Sequence, residues 1–475
     1  MVSFSWRVLL FSLLSAVASA ATPPSVFNIR DYGAVGDGLH PDTAAINQAV
    51  TACVQAGGGT VYLPPGRYFT GTIILQSNVT FDLDAGAVLL ASDNRTDYPL
   101  VEDPWESTAK LIAPLIWAVD AQNITLTGLG TFEGQGQWWW PLDHGGVARG
   151  SEPGTPQPPR GGARPQFVRL LRCQNVRIEH LTFHNSPSWN IHPLLCTDVR
   201  IEGVTISSPA RSANTDGINP ESCRNVEITQ CRIDTGDDCV TLKSGIDELG
   251  RKLGRPDENI AISNCVMLHG HGGVTIGSEM SGGVRNVVVS NCVFQGTDNG
   301  IRIKSQRGRG GVVEGIVATG LVMQDVPHPF TITTFYMGKD KPGDVFPVNA
   351  GTPAYRGFLF SDISVRGAQD AGGITGLREA PITNITFTNV HIQSQTGFTC
   401  ANAANITFHD VVIDTAKGPA LILRDSTGID FRGLAIEEQR GKRPLVDFGI
   451  PVAPLAPSPL SPRVPAPPPP FYTHK

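Results

Sequence analysis

One nine-residue phrase recurs along the 475-residue chain and constrains its fold more than any other feature. Asn123 begins NITLTGLGT, Asn175 NVRIEHLTF, Asp198 DVRIEGVTI, Asn225 NVEITQCRI and Asn259 NIAISNCVM. Asn286 begins NVVVSNCVF, Gly315 GIVATGLVM, Asn384 NITFTNVHI, Asn405 NITFHDVVI and Gly428 GIDFRGLAI. Most successive starts lie 21 to 34 residues apart, with larger gaps after Asn123 and Gly315. Apolar and polar residues alternate within each phrase, and a turn-prone Asn, Asp, Gly, His or Gln stands sixth. The pattern is strand, turn, strand rather than helix.

A unit this short cannot bury its own apolar face, whereas a stack of such units buries a continuous core. Short strands at this period, with no helix in each repeat, predict an all-β chain wound as a single-stranded parallel β-helix. Its coils are spaced ~4.8 Å apart. A leucine-rich solenoid would show LxxLxL, and propeller blades would need about twice the period. Cys231, Cys265 and Cys292 hold the seventh place, where other phrases carry Leu181, Val204, Leu321, Val390, Val411 and Leu434. Those three thiols are expected inside, reduced, in an apolar ladder. Cys223 and Cys239 fall outside it on neighbouring coils and are the expected disulfide pair. With nine cysteines at least one stays free, and no CxxC offers zinc-site spacing.

Other segments frame the solenoid. Arg7, the apolar run Val8–Val17 and Ala18-Ser19-Ala20 read as a signal peptide over residues 1–20, too short to span a membrane. Secretion to the periplasm or the medium is therefore expected. Residues 21–450 form the solenoid domain, and 451–475, with ten prolines among 25 residues, a poorly ordered tail. Asp42–Cys53 shows helical spacing of Ala44, Ile46, Val50 and Cys53 behind an Asp42 N-cap, a short helix to plug the open N-terminal end. Residues 133–165 and 325–353 carry few strand signals and are expected as long loops. Asn-x-Thr sequons stand at Asn78, Asn94, Asn123, Asn384 and Asn405, most within the phrase, where turn geometry explains them. A net charge of −6 gives no nucleic-acid footprint.

Four consecutive coils end alike: DGINPES from Asp216, DCVTLKS from Asp238, GGVTIGS from Gly272 and GIRIKS from Gly300. Aligning Ser222, Ser244, Ser278 and Ser305 places Asp216 and Asp238 six positions before the serine, and Asp237 and His271 seven before it. Arg302 and Lys304 stand three and one before theirs. In a stack, equal offsets are vertical neighbours, so three carboxylates, an imidazole and two cations meet on one face. Close carboxylates cannot all ionise, which separates a proton donor from an ionised base. Glycoside hydrolysis needs that division of labour, and the cations suit an anionic substrate group. Asp-rich turns also cap β-helix coils, but four motifs in register favour chemistry.

Asn214-Thr215-Asp216, Gly236-Asp237-Asp238, Gly270-His271-Gly272 and Arg302-Ile303-Lys304, in this order and spacing, resemble the polygalacturonase-type hydrolases of glycoside hydrolase family 28. The segments FNIRDYGAVGDGLHPDTAAINQAV (27–50) and GGGTVYLPPGRY (57–68) resemble that family's N-terminal region, and the likeness runs over about 27–440. It implies a right-handed parallel β-helix and hydrolysis of α-1,4 galacturonosyl bonds of pectin with inversion. By motif, Asp237 would protonate the leaving oxygen, while Asp216 and Asp238 would position and deprotonate water. His271 would bond the acid, Arg302 and Lys304 would bind a galacturonate carboxylate, Asn214 would fix the site, and Tyr336 would contact sugar.

HGGVTIGSEMSGG (271–283), SPSWNIHP (186–193) and KSQRGRGG (304–311) look closest to bacterial and plant members described as exo-acting. Trp138, Trp139 and Trp140 in the 133–165 insertion either wall one end of the cleft or pack beneath the loop. Hydrolases of rhamnogalacturonan or xylogalacturonan, a calcium-dependent pectate-lyase-like enzyme and a non-catalytic polysaccharide-binding solenoid are the rival readings. No cofactor and no metal are expected, and a monomer is.

Overall fold

The computed structural model describes residues 25–102, 110–140, 164–337, 340–341 and 343–433, and the backbone of 446–447. The expected signal peptide, the proline-rich tail, Leu434 and most of the 133–165 insertion lie outside these residues. The described chain winds as a right-handed parallel β-helix with three stacked sheets. Each phrase supplies two of them. Its first strand joins one sheet, as in Gln174–Glu179, Thr197–Glu202, Arg224–Thr229 and Asp257–Ser263. Its second joins the next, as in Thr182–His184, Thr205–Ser207, Arg232–Thr235 and Val266–His269. A third sheet closes each coil and runs through Val168–Leu171, Ile191–Leu194, Val240–Leu242, Val274–Ile276, Asn299–Lys304 and His328–Thr333. Parallel bridges at Ile218 and Glu221 carry it across the coil of Asp216.

The first and sixth residues of the phrase explain its turn-prone chemistry. Asn175, Asp198, Asn225, Asn259 and Asn286 take φ of 53°, 59°, 59°, 60° and 57°, in the left-handed region. His180, Gln230, Asn264 and Asn291, at the sixth place, do the same with φ of 61°, 56°, 55° and 54°. Asn and Gly reach that region at least cost. The first-place asparagines also bond one another up the stack: Asn259 Nδ2 donates to Asn225 Oδ1 and Asn286 Nδ2 to Asn259 Oδ1, each at 3.1 Å. The sequon residues Asn123 and Asn405 donate likewise to Asn78 (2.8 Å) and Asn384 (3.1 Å).

Inward positions make the core. Cys231, Cys265 and Cys292 are buried with Leu181, Val204, Leu321, Val390 and Val411, as expected. Towards the C-terminal end the core is aromatic, with Phe387 stacked on Phe408 at 5.3 Å and Phe408 on Phe431 at 5.9 Å. The helix α1, Thr43–Gln55, packs on Val26–Asn28, Gly59–Leu63 and Ile73–Ile74 and covers the N-terminal coils. Its buried face is Ala45, Ile46, Ala49, Val50 and Cys53; Ala44 is exposed. Asp42 occupies the N-cap without a side-chain cap bond, because its carboxylate accepts from Val35 N (2.6 Å) and Gly36 N (3.2 Å) instead.

Two expectations are corrected. Cys223 and Cys239 are both free thiols. Coil pairing sets Ile218 against Val240, which leaves Cys223 six residues along the rung from the level of Cys239, ~20 Å at ~3.3 Å per residue and far beyond disulfide reach. Cys223 Sγ donates to Pro193 O at 3.2 Å, in a column with Cys173 and Cys196. The 325–353 stretch also contains a third-sheet strand, His328–Thr333, whose polar faces hid it.

Candidate active site

Where the second sheet turns into the third, successive coils deliver their functional groups to one place. Asp237 and Asp238 lie between Arg232–Thr235 and Val240–Leu242, and His271 lies between Val266–His269 and Val274–Ile276. Asn214 and Asp216 precede the bridge at Ile218. Pairing of Val240 with Val274 and of Val274 with Ile301 reproduces the serine alignment, with His271 above Asp237 and Asp216 beneath Asp238. Gly272 is required here, since a Cβ on it would stand 2.8 Å from Asp238 Oδ1.

One pocket is lined by Asn214, Asp216, Asp237, Asp238, Lys243, His271, Lys304 and Tyr336. Carboxylate oxygens of Asp216, Asp237 and Asp238 come within 4.8 Å of one another. Asp238 is held by Lys304 Nζ at 2.8 Å and Arg302 Nη1 at 3.2 Å. Tyr336 lies against both cations, its ring 4.9 Å from Lys304 Nζ and 5.5 Å from the Arg302 guanidinium. His271 Nδ1 sits 3.1 Å from Asp237 Oδ1, and Asn214 Nδ2 donates to Asp237 Oδ2 at 3.5 Å. All eight residues singled out from the sequence therefore meet around this pocket.

Their environments separate the three acids. Burial pushes the Asp216 carboxyl well above its usual range, and the charges of Asp237 and Asp238 add to the shift. Burial also presses on Asp238, but Lys304 and Arg302 outweigh it and hold Asp238 low. Asp237 is likewise buried, and the His271 hydrogen bond keeps it below the ordinary value. The same bond raises His271 to about 9. The pocket thus sets a carboxylate held low by its cations beside one pushed up by burial and an Asp237 bonded to His271, the divergence that acid–base chemistry on a glycosidic bond needs. The three carboxylates are close enough to chelate a cation, but side-chain cations already occupy both oxygens of Asp238, and none is assigned here as a metal ligand.

Sequence reasoning missed two contributors. Lys243 stands one residue before Ser244, the offset of Lys304 before Ser305, and that signal was available. Its Nζ donates to Glu279 Oε2 at 2.9 Å and lies 4.8 Å from the Trp189 ring centre. Burial alone would neutralise it, but Glu279 and Asp216 raise its pKa and keep it charged. Arg164, buried, donates to Asn214 Oδ1 at 2.5 Å, Ala213 O at 2.7 Å and Pro187 O at 3.1 Å. It lies outside the repeats and carries no register.

The model for glycosyl hydrolases family 28 matches residues 70–416, most of the chain. The chain belongs to this family. As a family 28 protein it is a glycoside hydrolase. It is similar to a probable polygalacturonase of Vitis vinifera, 33% identical over 393 residues that cover 80% of this chain and 76% of that protein. An exo-poly-alpha-D-galacturonosidase of Dickeya chrysanthemi is 27% identical over 83% of this chain and 72% of its own. Among solved structures, a hyperthermoactive exopolygalacturonase from Thermotoga maritima superposes with a TM-score of 0.66 at 30% identity, covering 81% of this chain and 92% of that one.

Proposed function

We propose that this family 28 hydrolase cleaves α-1,4 galacturonosyl linkages of pectic galacturonan, from chain ends and with inversion. The observation that carries the reading is the pocket itself, in which three carboxylates with oxygens within 4.8 Å of one another lie beside Lys304 and Lys243, with Arg302 bound to Asp238. Arg302 and Lys304 suit the carboxylate of a galacturonate unit. Asp237 has the most solvent-facing side chain of the three acids, 15% exposed against 2% for Asp238, and is the proton donor to the leaving oxygen. Asp216 and Asp238, on adjacent rungs, hold and deprotonate the water.

In the free enzyme Asp216 is the carboxyl of the three pushed upwards, by burial and by its acidic neighbours. An anionic substrate drawn to Arg302 and Lys304 competes for the cations that hold Asp238, and it brings negative charge next to Asp237. Both effects raise the acid's pKa and move the proton towards Asp237, so the cluster titrates as a unit. Exo action is supported by the likeness to the exo-poly-alpha-D-galacturonosidase of Dickeya and the exopolygalacturonase of Thermotoga. Oxygens within 4.8 Å lie inside the spacing associated with retention, so the anomer released is a decisive observable. Export by residues 1–20 is proposed with the function, and N-terminal sequencing of secreted protein tests it.

Mass spectrometry of products from unesterified galacturonan, incubated in chelator, tests the activity. Saturated mono- or digalacturonate from the earliest time is the expected result. Mixed saturated oligomers overturn the exo assignment, unsaturated ends point to a lyase, and net retention by NMR overturns the acid and base roles.

A further inference from the structure

Asp237 is hydrogen-bonded unequally. Oδ1 accepts from the backbone N–H of Asp238 at 2.9 Å and faces His271 Nδ1 at 3.1 Å. Among the described residues, Oδ2 accepts from the Asn214 amide alone, at 3.5 Å. A proton on Asp237 therefore belongs on Oδ2, the oxygen with the weaker donor. The fate of that proton depends on which way Asn214 points. An amide can turn either its oxygen or its nitrogen towards a neighbour, and only the surrounding bonds decide between them. Here the decision comes from Arg164, because a guanidinium donates and never accepts. Its Nη2 stands 2.5 Å from Asn214, so the amide oxygen must face Arg164 and the NH2 must face Asp237.

We propose that Arg164 is a positioning residue for proton donation. By holding Asn214 Oδ1, it keeps the amide oxygen away from Asp237 and leaves the acid's proton free for the glycosidic oxygen. With the amide reversed, Asn214 Oδ1 would accept that proton and stabilise a protonated acid that donates to its own protein. Arg164 is suited to a fixed orientation: its other guanidinium nitrogen donates to Pro187 O and Ala213 O, tying the 186–189 turn to the residue before Asn214. The remaining charged groups around Asp237 are His271, Asp238, Asp216, Lys304, Arg302 and Lys243. None of them bonds the Asn214 amide among the hydrogen bonds described, so none substitutes for Arg164 in orienting it.

The inference rests on the reading of Asp237 as the acid, and the experiment keeps the two apart. Asp237→Asn that retains turnover would remove that reading, whatever Arg164 does. For Arg164, the pH dependence of kcat and kcat/KM is measured on galacturonan oligomers for the wild type, Arg164→Met, Asn214→Ala and the double variant. Arg164→Met is expected to lower kcat about ten-fold or more, with KM within about two-fold. Its alkaline limb should move to higher pH, because a reversed amide favours the protonated acid. The double variant should be no slower than Asn214→Ala alone, since the effect of Arg164 on the acid runs through that amide. An unmoved limb, or the same Arg164→Met loss in the Asn214→Ala background, overturns the proposal. Arg164→Lys keeps a cationic donor while giving up the paired carbonyl contacts, which separates orientation from folding. It is expected to melt earlier yet keep the wild-type limb, and a limb displaced as far as in Arg164→Met overturns the proposal.

Discussion

Each oxygen of Asp237 faces a donor, and the His271 side chain on Oδ1 controls how readily the acid takes up its proton. Asp237→Asn preserves the shape and removes the proton. We expect it to lower kcat by about 10³-fold, within the usual range for a general acid, while isothermal titration shows galacturonate oligomers still bound. Unchanged turnover would transfer the catalytic role to another group. His271 acts in the opposite sense from the substrate, because its hydrogen bond favours ionised Asp237. His271→Asn should therefore raise the pKa of Asp237 and move the alkaline limb of the rate profile upwards, with lower kcat at the optimum. The wild-type profile should peak below neutrality, since activity needs Asp238 ionised, which its cations ensure, and one proton retained among the other acids. The raised pKa of His271 also has a stability consequence of definite sign. Its contribution is complete below the ordinary value of 6.5 and fades as pH climbs through about 9. Thermal midpoints of wild type and His271→Asn should converge over that interval. At this scale the sequence was readable wherever a residue belonged to a repeated register. Asp216, Asp237, Asp238, His271, Arg302 and Lys304 share offsets from a serine, whereas Arg164 meets Asn214 from 50 residues away with no repeat to align it.

Elements followed the same logic. The phrase predicts two strands separated by a left-handed residue, and the bend falls at that residue in coil after coil, from His180 to Asp410. What the phrase cannot encode is the third sheet, because its strands, such as Val240–Leu242 and Val274–Ile276, are three residues long and lie outside it. That gap explains the misassigned Cys223–Cys239 pair and the overlooked strand at His328–Thr333. The helix face was obscured for a different reason: α1 turns Ala45 and Ala49 inward, and alanine is too small and too tolerant of either environment to betray its face. The asparagine ladder gives a direct test of element energetics. Asn259 combines φ of 60° with one bond donated down the ladder to Asn225 and one accepted from Asn286 above. Asn259→Ala should destabilise by about 1–2 kcal/mol, from the backbone penalty of ~1 kcal/mol and the loss of two exposed hydrogen bonds. Asn259→Gly keeps the backbone conformation and should recover roughly half of the loss, read from urea midpoints. Equal losses for Ala and Gly would mean that the side-chain bonds, not the backbone angle, hold the turn.

For the molecule as a whole, a β-helix offers a long open groove, and a substrate that threads it can be cut anywhere unless one end is blocked. The described part of the 133–165 insertion packs against the 186–189 turn beside the site. Trp139 is buried edge-on against Tyr98 at 5.8 Å, and Trp140 Nε1 donates to Ser186 O at 3.0 Å. Ser186 begins the turn that Arg164 ties to Asn214, so the insertion and the site share one rigid wall. Trp138, 47% exposed, is the tryptophan of the three that faces solvent. Trp139 and Trp140 therefore turn inward, against Tyr98 and the 186–189 turn. If the wall restricts cutting to chain ends, removing its anchor should admit internal segments of the polymer. Trp140→Ala is expected to increase viscosity loss per bond hydrolysed on high-molecular-weight galacturonan, while the rate on trigalacturonate stays within about three-fold. Larger early oligomers should appear together with that loss. A variant that still releases only mono- or digalacturonate, at unchanged viscosity loss per bond, would show that chain-end selectivity comes from within the pocket, which Lys243 lines 4.8 Å from the Trp189 ring centre.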